Sequence, residues 1–140
     1  EFAAGVELFG ISNWVRTLEV MPPWWQYIRR AIYHEIGDPR HDQEFLRGIS
    51  PLFHADKIVR PLMVLQGRND PRVIISESED IVRAARANGT PVEYLIFDDE
   101  GHGLRKKENK GRAFKAIHRF LDGHVKHLKV PGSDKIDVGQ

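Results

Sequence analysis

The sequence predicts an α/β protein, a parallel sheet whose strands are joined and covered by helices. Three short, largely apolar runs, 2–9, 61–67 and 91–97, are each closed by Gly, Pro or a polar turn. Stretches with apolar residues at helical spacing follow each of them, so the order is strand, helical excursion, strand, helix, strand, helix. The 140 residues, 41% hydrophobic, suffice for one modest domain and are too few for two. We expect that domain over 1–128, and a tail over 129–140, where Pro131, Gly132, Ser133 and several charges offer little surface to bury.

The first run reads as a buried strand ended by Gly10. Asn13 is placed to cap a short helix reaching Val20. Pro22-Pro23 stops it and starts another, because proline suits a first turn. Trp24/Trp25, Ile28, Ile32 and Ile36 then follow helical spacing up to Gly37-Asp38-Pro39. A further short helix is expected over 42–47, and Ser50-Pro51-Leu52 marks a turn. The run 61–67 is a strand entered by proline and left by glycine. Ser76 and Glu79 have the spacing of a capping box, opening a helix with Ile81, Val82, Ala84 and Ala85 on one side and Asn88-Gly89 at its end. After the strand 91–97, a helix over 109–127 presents Ala113, Phe114, Ile117, Phe120, Leu121, Val125 and Leu128.

Charge and composition narrow the function. Lys plus Arg number 21 and Asp plus Glu 20, a net charge of +1, so no strong attraction to nucleic acid is expected. Apolar runs fall far short of the ~20 residues that span a bilayer. The absence of cysteine removes disulfides, Cys-based zinc sites and a cysteine nucleophile. No basic stretch followed by an apolar core opens the chain, which leads us to expect a cytoplasmic location. The start inside an apolar strand, without Met, leads us to expect the C-terminal part of a longer polypeptide.

In a parallel sheet, chemistry gathers at the loops after the strand carboxyl ends. Two such loops are expected, Gly67-Arg68-Asn69-Asp70-Pro71-Arg72-Val73 and Asp98-Asp99-Glu100-Gly101-His102-Gly103. Adjacent strands would bring Asp70 and His102 to one edge, the acid and base of a Ser-His-Asp arrangement. The acid precedes the histidine, as in α/β-hydrolases. Other groups carry blander readings. His34, His41 and His54 lack a partner pattern, and His118, His124 and His127 read as a solvated helix face. Asp98-Asp99-Glu100 has no spaced loop to hold calcium. Arg105-Lys106-Lys107 reads as surface, and Trp14, Trp24 and Trp25 as packing.

The segment Ser50-Pro51-Leu52-Phe53-His54-Ala55-Asp56-Lys57-Ile58, followed by Arg60-Pro61-Leu62-Met63-Val64-Leu65-Gln66-Gly67-Arg68-Asn69-Asp70-Pro71-Arg72-Val73, resembles the C-terminal part of the prolyl oligopeptidase family. So does Pro91-Val92-Glu93-Tyr94-Leu95-Ile96-Phe97-Asp98-Asp99-Glu100-Gly101-His102-Gly103 with Glu108-Asn109, and the acylaminoacyl-peptidase-like branch is the most similar. The resemblance implies the C-terminal half of an α/β-hydrolase and a serine peptidase cleaving peptide or acyl-amino bonds without cofactor or metal. It implies Asp70 as triad acid and His102 as general base. It implies that Arg72 binds a substrate carbonyl and that Val73, Phe9 and Trp24 border substrate pockets, with Trp24 equally suited to the core. The nucleophile's Gly-x-Ser-x-Gly elbow is missing. Ser12 and Ser50 follow a glycine by two residues but lack the second glycine, so the chain alone is expected to be inactive. An esterase of the same fold is one alternative. A non-catalytic module that forms a homo-oligomer through an unpaired strand edge is another.

Overall fold

The structure, a computed structural model, describes residues 2–125. His127, Leu128 and the expected tail 129–140 lie outside the described residues. Strands β1 (Gly5–Leu8), β2 (Leu62–Gly67) and β3 (Val92–Phe97) form a parallel sheet in the order β1-β2-β3. Leu62 to Leu65 are each paired on both sides, with Leu65 opposite Leu8 and Leu95. This alignment puts the carboxyl ends of all three strands on one edge, and the loops leaving them share that edge.

Helices α1 (Trp14–Glu19), α2 (Arg29–Ile36) and α3 (Gln43–Gly48) fill the excursion between β1 and β2. Helix α4 (Ile75–Ala87) joins β2 to β3, and α5 (Lys107–Val125) follows β3. Alternation along β2 separates the two faces of the sheet. Met63 and Leu65 join Phe97, Ala113 and Phe120 in the core beneath α5. Gln66 turns the other way and bonds Ser78 of α4, whose Ile81, Val82 and Ala85 are also buried. A second, smaller core of Leu18, Met21 and Leu46 holds the excursion together, with Trp14, Trp25, Ile32 and Ile36 packed around it. No helix among the described residues is long and apolar enough to cross a membrane.

Four expectations require correction. The first strand is shorter than 2–9, and Phe2 is 88% exposed. Its pairing begins with the Gly5 amide on the Pro61 carbonyl and ends with the Phe9 amide on the Leu65 carbonyl. The single helix expected over 24–36 is split into a 3-10 turn, Pro23–Trp25, and α2. Around the two prolines the Trp25 and Ile28 amides reach back only three residues, to the Pro22 and Trp25 carbonyls, which keeps the segment tightly wound. The capping box does not form. Helix α4 starts at Ile75 without a side-chain cap, so Ser76 lies inside its first turn. Apolar periodicity in the last helix also overstates burial, since Phe114 is 69% exposed while Ala113 and Phe120 are in the core. Elsewhere the local chemistry holds: Asn13 accepts the Arg16 amide at 3.2 Å and caps α1.

Candidate active site

The loop after β2 carries Asp70, and the loop after β3 carries His102. The two loops are laced together by backbone before any side chain acts. The Arg68 amide bonds the Phe97 carbonyl at 2.9 Å, and the Asn69 amide bonds the Glu100 carbonyl at 3.0 Å. Gly67 permits this approach, because an added Cβ would collide with the carbonyl oxygens of Glu100 and Gly101. Next to His102, Gly103 takes a φ of +114° and returns its amide to the Gly101 carbonyl at 3.0 Å. That tight reversal presents the imidazole toward the Asp70 loop.

Asp70 Oδ2 and His102 Nδ1 stand 2.8 Å apart. The acid's other oxygen, Oδ1, accepts the amides of Arg72 at 2.8 Å and Val73 at 3.0 Å. Gln66 Nε2 approaches Oδ2 at 3.3 Å from inside the sheet. The Asp70 side chain is fully buried, whereas that of His102 is one-third exposed. A buried carboxylate facing Nδ1 selects the tautomer with the proton there and leaves Nε2 as the basic nitrogen. The Phe9 ring lies 5.7 Å from the imidazole, centroid to centroid. Phe9 itself has a φ of +57°, a costly conformation for an aromatic residue, held here at the turn that leads its ring to His102.

The other expected site residues are placed as follows. Arg72 and Trp24 line one cleft of about 160 Å³ together with Thr17, Pro22 and Ile74. Trp24, 51% exposed, therefore belongs to this cleft and not to the core. Val73 is 5% exposed, so what it offers the site is its amide on Asp70 and its carbonyl on Gln66. Ser12 and Ser50 are buried and bonded within the scaffold, Ser12 to Glu77 and Ser50 to the Leu46 carbonyl. Among the described residues no serine hydroxyl is bonded to His102.

Three contributors escaped sequence reasoning. Glu100 accepts the amides of Arg105 at 3.0 Å and Lys106 at 2.9 Å, tying the His102 loop to the start of α5. These amides, the Arg105 one foremost, together with Asn109, hold its carboxyl below the ordinary range. Its neighbours are similarly engaged, Asp98 with Arg68 and Asp99 with Lys106. Glu7 accepts the Gly10 amide and so shapes the turn that carries Phe9. Gln66 is the third, and its signal was visible as the one polar side chain in an otherwise apolar strand.

Parallel strands covered by helices on both faces, with an acid and a histidine on successive strand-end loops, define an α/β-hydrolase. Solved structures agree. A puromycin-hydrolyzing peptidase of Mycobacterium tuberculosis is 31% identical with a TM-score of 0.80, covering 88% of this chain and 18% of that one. Acylaminoacyl peptidase of Pyrococcus horikoshii, 23% identical with a TM-score of 0.77, covers 91% of this chain and 21% of its own and supports the fold. Residues 1–128 match the prolyl oligopeptidase family, and the chain belongs to that family. Dipeptidyl aminopeptidase BIII of Pseudoxanthomonas mexicana is 44% identical over 118 residues, 83% of this chain. Dipeptidyl peptidase family member 6 of Caenorhabditis elegans is 40% identical over 123 residues, 86% of this chain. The chain spans 17% of the length of each of these two relatives.

Proposed function

We propose that this chain supplies the acid and base of a serine-type peptidase, with the nucleophilic serine carried by a segment outside these 140 residues. The observation that carries the reading is the 2.8 Å contact between His102 Nδ1 and the buried Asp70 carboxylate. In the proposed reaction a serine hydroxyl attacks the scissile carbonyl carbon while its proton passes to His102 Nε2. Asp70 stabilises the imidazolium that forms. His102 then protonates the leaving amine, and the same base activates the water that releases the acyl group. Arg72, an exposed residue that shares a cleft with Trp24, would donate to a substrate backbone carbonyl, with the Trp24 indole as an apolar wall.

The substrate reading is a peptide or acyl-peptide. The relatives named as dipeptidyl enzymes, at 40% and 44% identity, favour dipeptide release as the first test. The acylamino-acid-releasing enzyme of Arabidopsis thaliana is 31% identical. The experiment joins these residues to the nucleophile-bearing segment and measures hydrolysis of chromogenic dipeptidyl and N-acyl-aminoacyl amides. Asp70→Asn is expected to lower turnover by about 10⁴ and His102→Ala by about 10⁶, in chains that still unfold cooperatively. The 140-residue chain alone is expected to resist a fluorophosphonate probe. Near-normal turnover in either variant, or stoichiometric labelling of the chain alone, would overturn the assignment.

A further inference from the structure

We propose that Gln66, oriented by Ser78, is a positioning residue that sets the basicity of His102 through the Asp70 carboxylate. The proposal rests on the acid–base reading above and adds a third participant that touches neither substrate nor imidazole.

Gln66 is the last side chain of β2 before the glycine that opens the acid loop, and it is completely buried. Its Nε2 meets three oxygens: the Val73 carbonyl at 2.9 Å, the Gly67 carbonyl at 3.3 Å and Asp70 Oδ2 at 3.3 Å. All three are acceptors. An amide turned the other way would set its own oxygen against them, so the orientation follows from the surroundings. On the opposite side, the Ser78 hydroxyl donates to Gln66 Oε1 at 3.2 Å. Ser78 is itself buried on α4, so a chain of hydrogen bonds runs from that helix through Gln66 to the oxygen that faces His102.

This geometry has an electrostatic consequence. Asp70 Oδ1 is occupied by two backbone amides, which leaves Oδ2 to be shared between His102 and Gln66. The amide donor stabilises the carboxylate most when the imidazole opposite is neutral and the negative charge is uncompensated. When the imidazole is protonated, the ion pair already satisfies that oxygen. Gln66 therefore favours the neutral imidazole, the form that accepts a proton. A purely structural role, filling space under the loop, would not discriminate between the two protonation states.

The test follows the His102 imidazole by NMR as a function of pH in the 140-residue chain, alongside thermal melting. Gln66→Met preserves much of the volume and removes the donor, and the His102 midpoint is expected to rise by about half to one pH unit. Ser78→Ala, a smaller change that keeps the proposal testable should the first variant not fold, is expected to raise it less, in the same direction. Midpoints equal to the parent's in the folded variants, with only the melting temperature lowered, would reduce Gln66 to packing and overturn the proposal. Asp70→Asn serves as the reference and is expected to lower the midpoint. If it leaves the midpoint unchanged, the acid–base pair itself does not form in solution, and the proposal falls together with the reading beneath it.

Discussion

Glu7, Val64 and Tyr94 lie in one row across the three strands. Both ends of that row carry a buried oxygen without a hydrogen-bond partner, Glu7 Oε2 and the Tyr94 hydroxyl. Burial raises both groups, Glu7 above its ordinary 4.5 and Tyr94 to about 12. Glu7 is retained at this cost beside a useful bond, since its other oxygen takes the Gly10 amide and fixes the turn that sets Phe9 against His102. Because the folded carboxyl binds its proton more tightly than the unfolded one, its contribution to stability is complete below 4.5. That contribution is lost as pH rises through the folded value. Glu7→Gln keeps an oxygen for Gly10 and removes the ionisation. Its stability relative to the parent is expected to grow as pH rises above 4.5 and to level off once the folded Glu7 has ionised, measured as the difference in melting temperature. A difference independent of pH would show that Glu7 does not titrate in this range.

At the scale of elements, α4 is tied down by a side chain that its sequence pattern does not single out. Glu77 is 0% exposed and accepts the amides of Ser12 and Asn13 at 2.9 and 2.7 Å, the Ser12 hydroxyl at 2.9 Å and Arg16 Nε at 2.7 Å. Arg16 also reaches Asp80, and both carboxylates raise its pKa, Glu77 foremost. One carboxylate thus docks the start of α1 onto α4 and fixes the segment leading from Phe9 into the excursion that carries Trp24. Glu77→Ala would leave Arg16 with Asp80 and orphan the Ser12 and Asn13 amides, at an expected cost of about 2–4 kcal/mol. Urea unfolding of parent and variant measures it, and a loss well below that range would mean that water replaces the carboxylate. The same contacts explain why the Ser76/Glu79 capping box fails. Once Glu77 and Ser78 are turned inward by tertiary partners, the residue before them is already within the helix.

At the scale of the whole molecule, the sheet exposes backbone. β1 is hydrogen-bonded to β2 on one side only among the described residues, and its Leu8 is exposed. An unpaired edge next to exposed apolar side chains is a template for a further strand. The 140-residue chain is therefore expected to self-associate through β1, with sedimentation velocity showing species heavier than the monomer as concentration rises. Leu8→Lys, a charge on that edge, is expected to restore the monomer. A parent chain that stays monomeric throughout would remove this expectation.

The sequence by itself determined where strands and helices alternate, which loops follow the strand ends, and that an acid and a histidine sit on them. Alternation, proline and glycine punctuation and helical spacing act over a few residues, so they can be read along the chain. Tertiary structure alone decided that Asp70 and His102 lie 2.8 Å apart, that Val73 serves through its backbone, and that Trp24 stands beside Arg72. It also decided the roles of Glu77 and Glu100, polar residues that read locally as unremarkable and become buried partners of groups up to 65 positions away, and gave Gln66, the lone polar side chain of its strand, its partners. The reason is that desolvation and hydrogen bonding depend on what surrounds a side chain in space, and neighbours along the chain do not specify that.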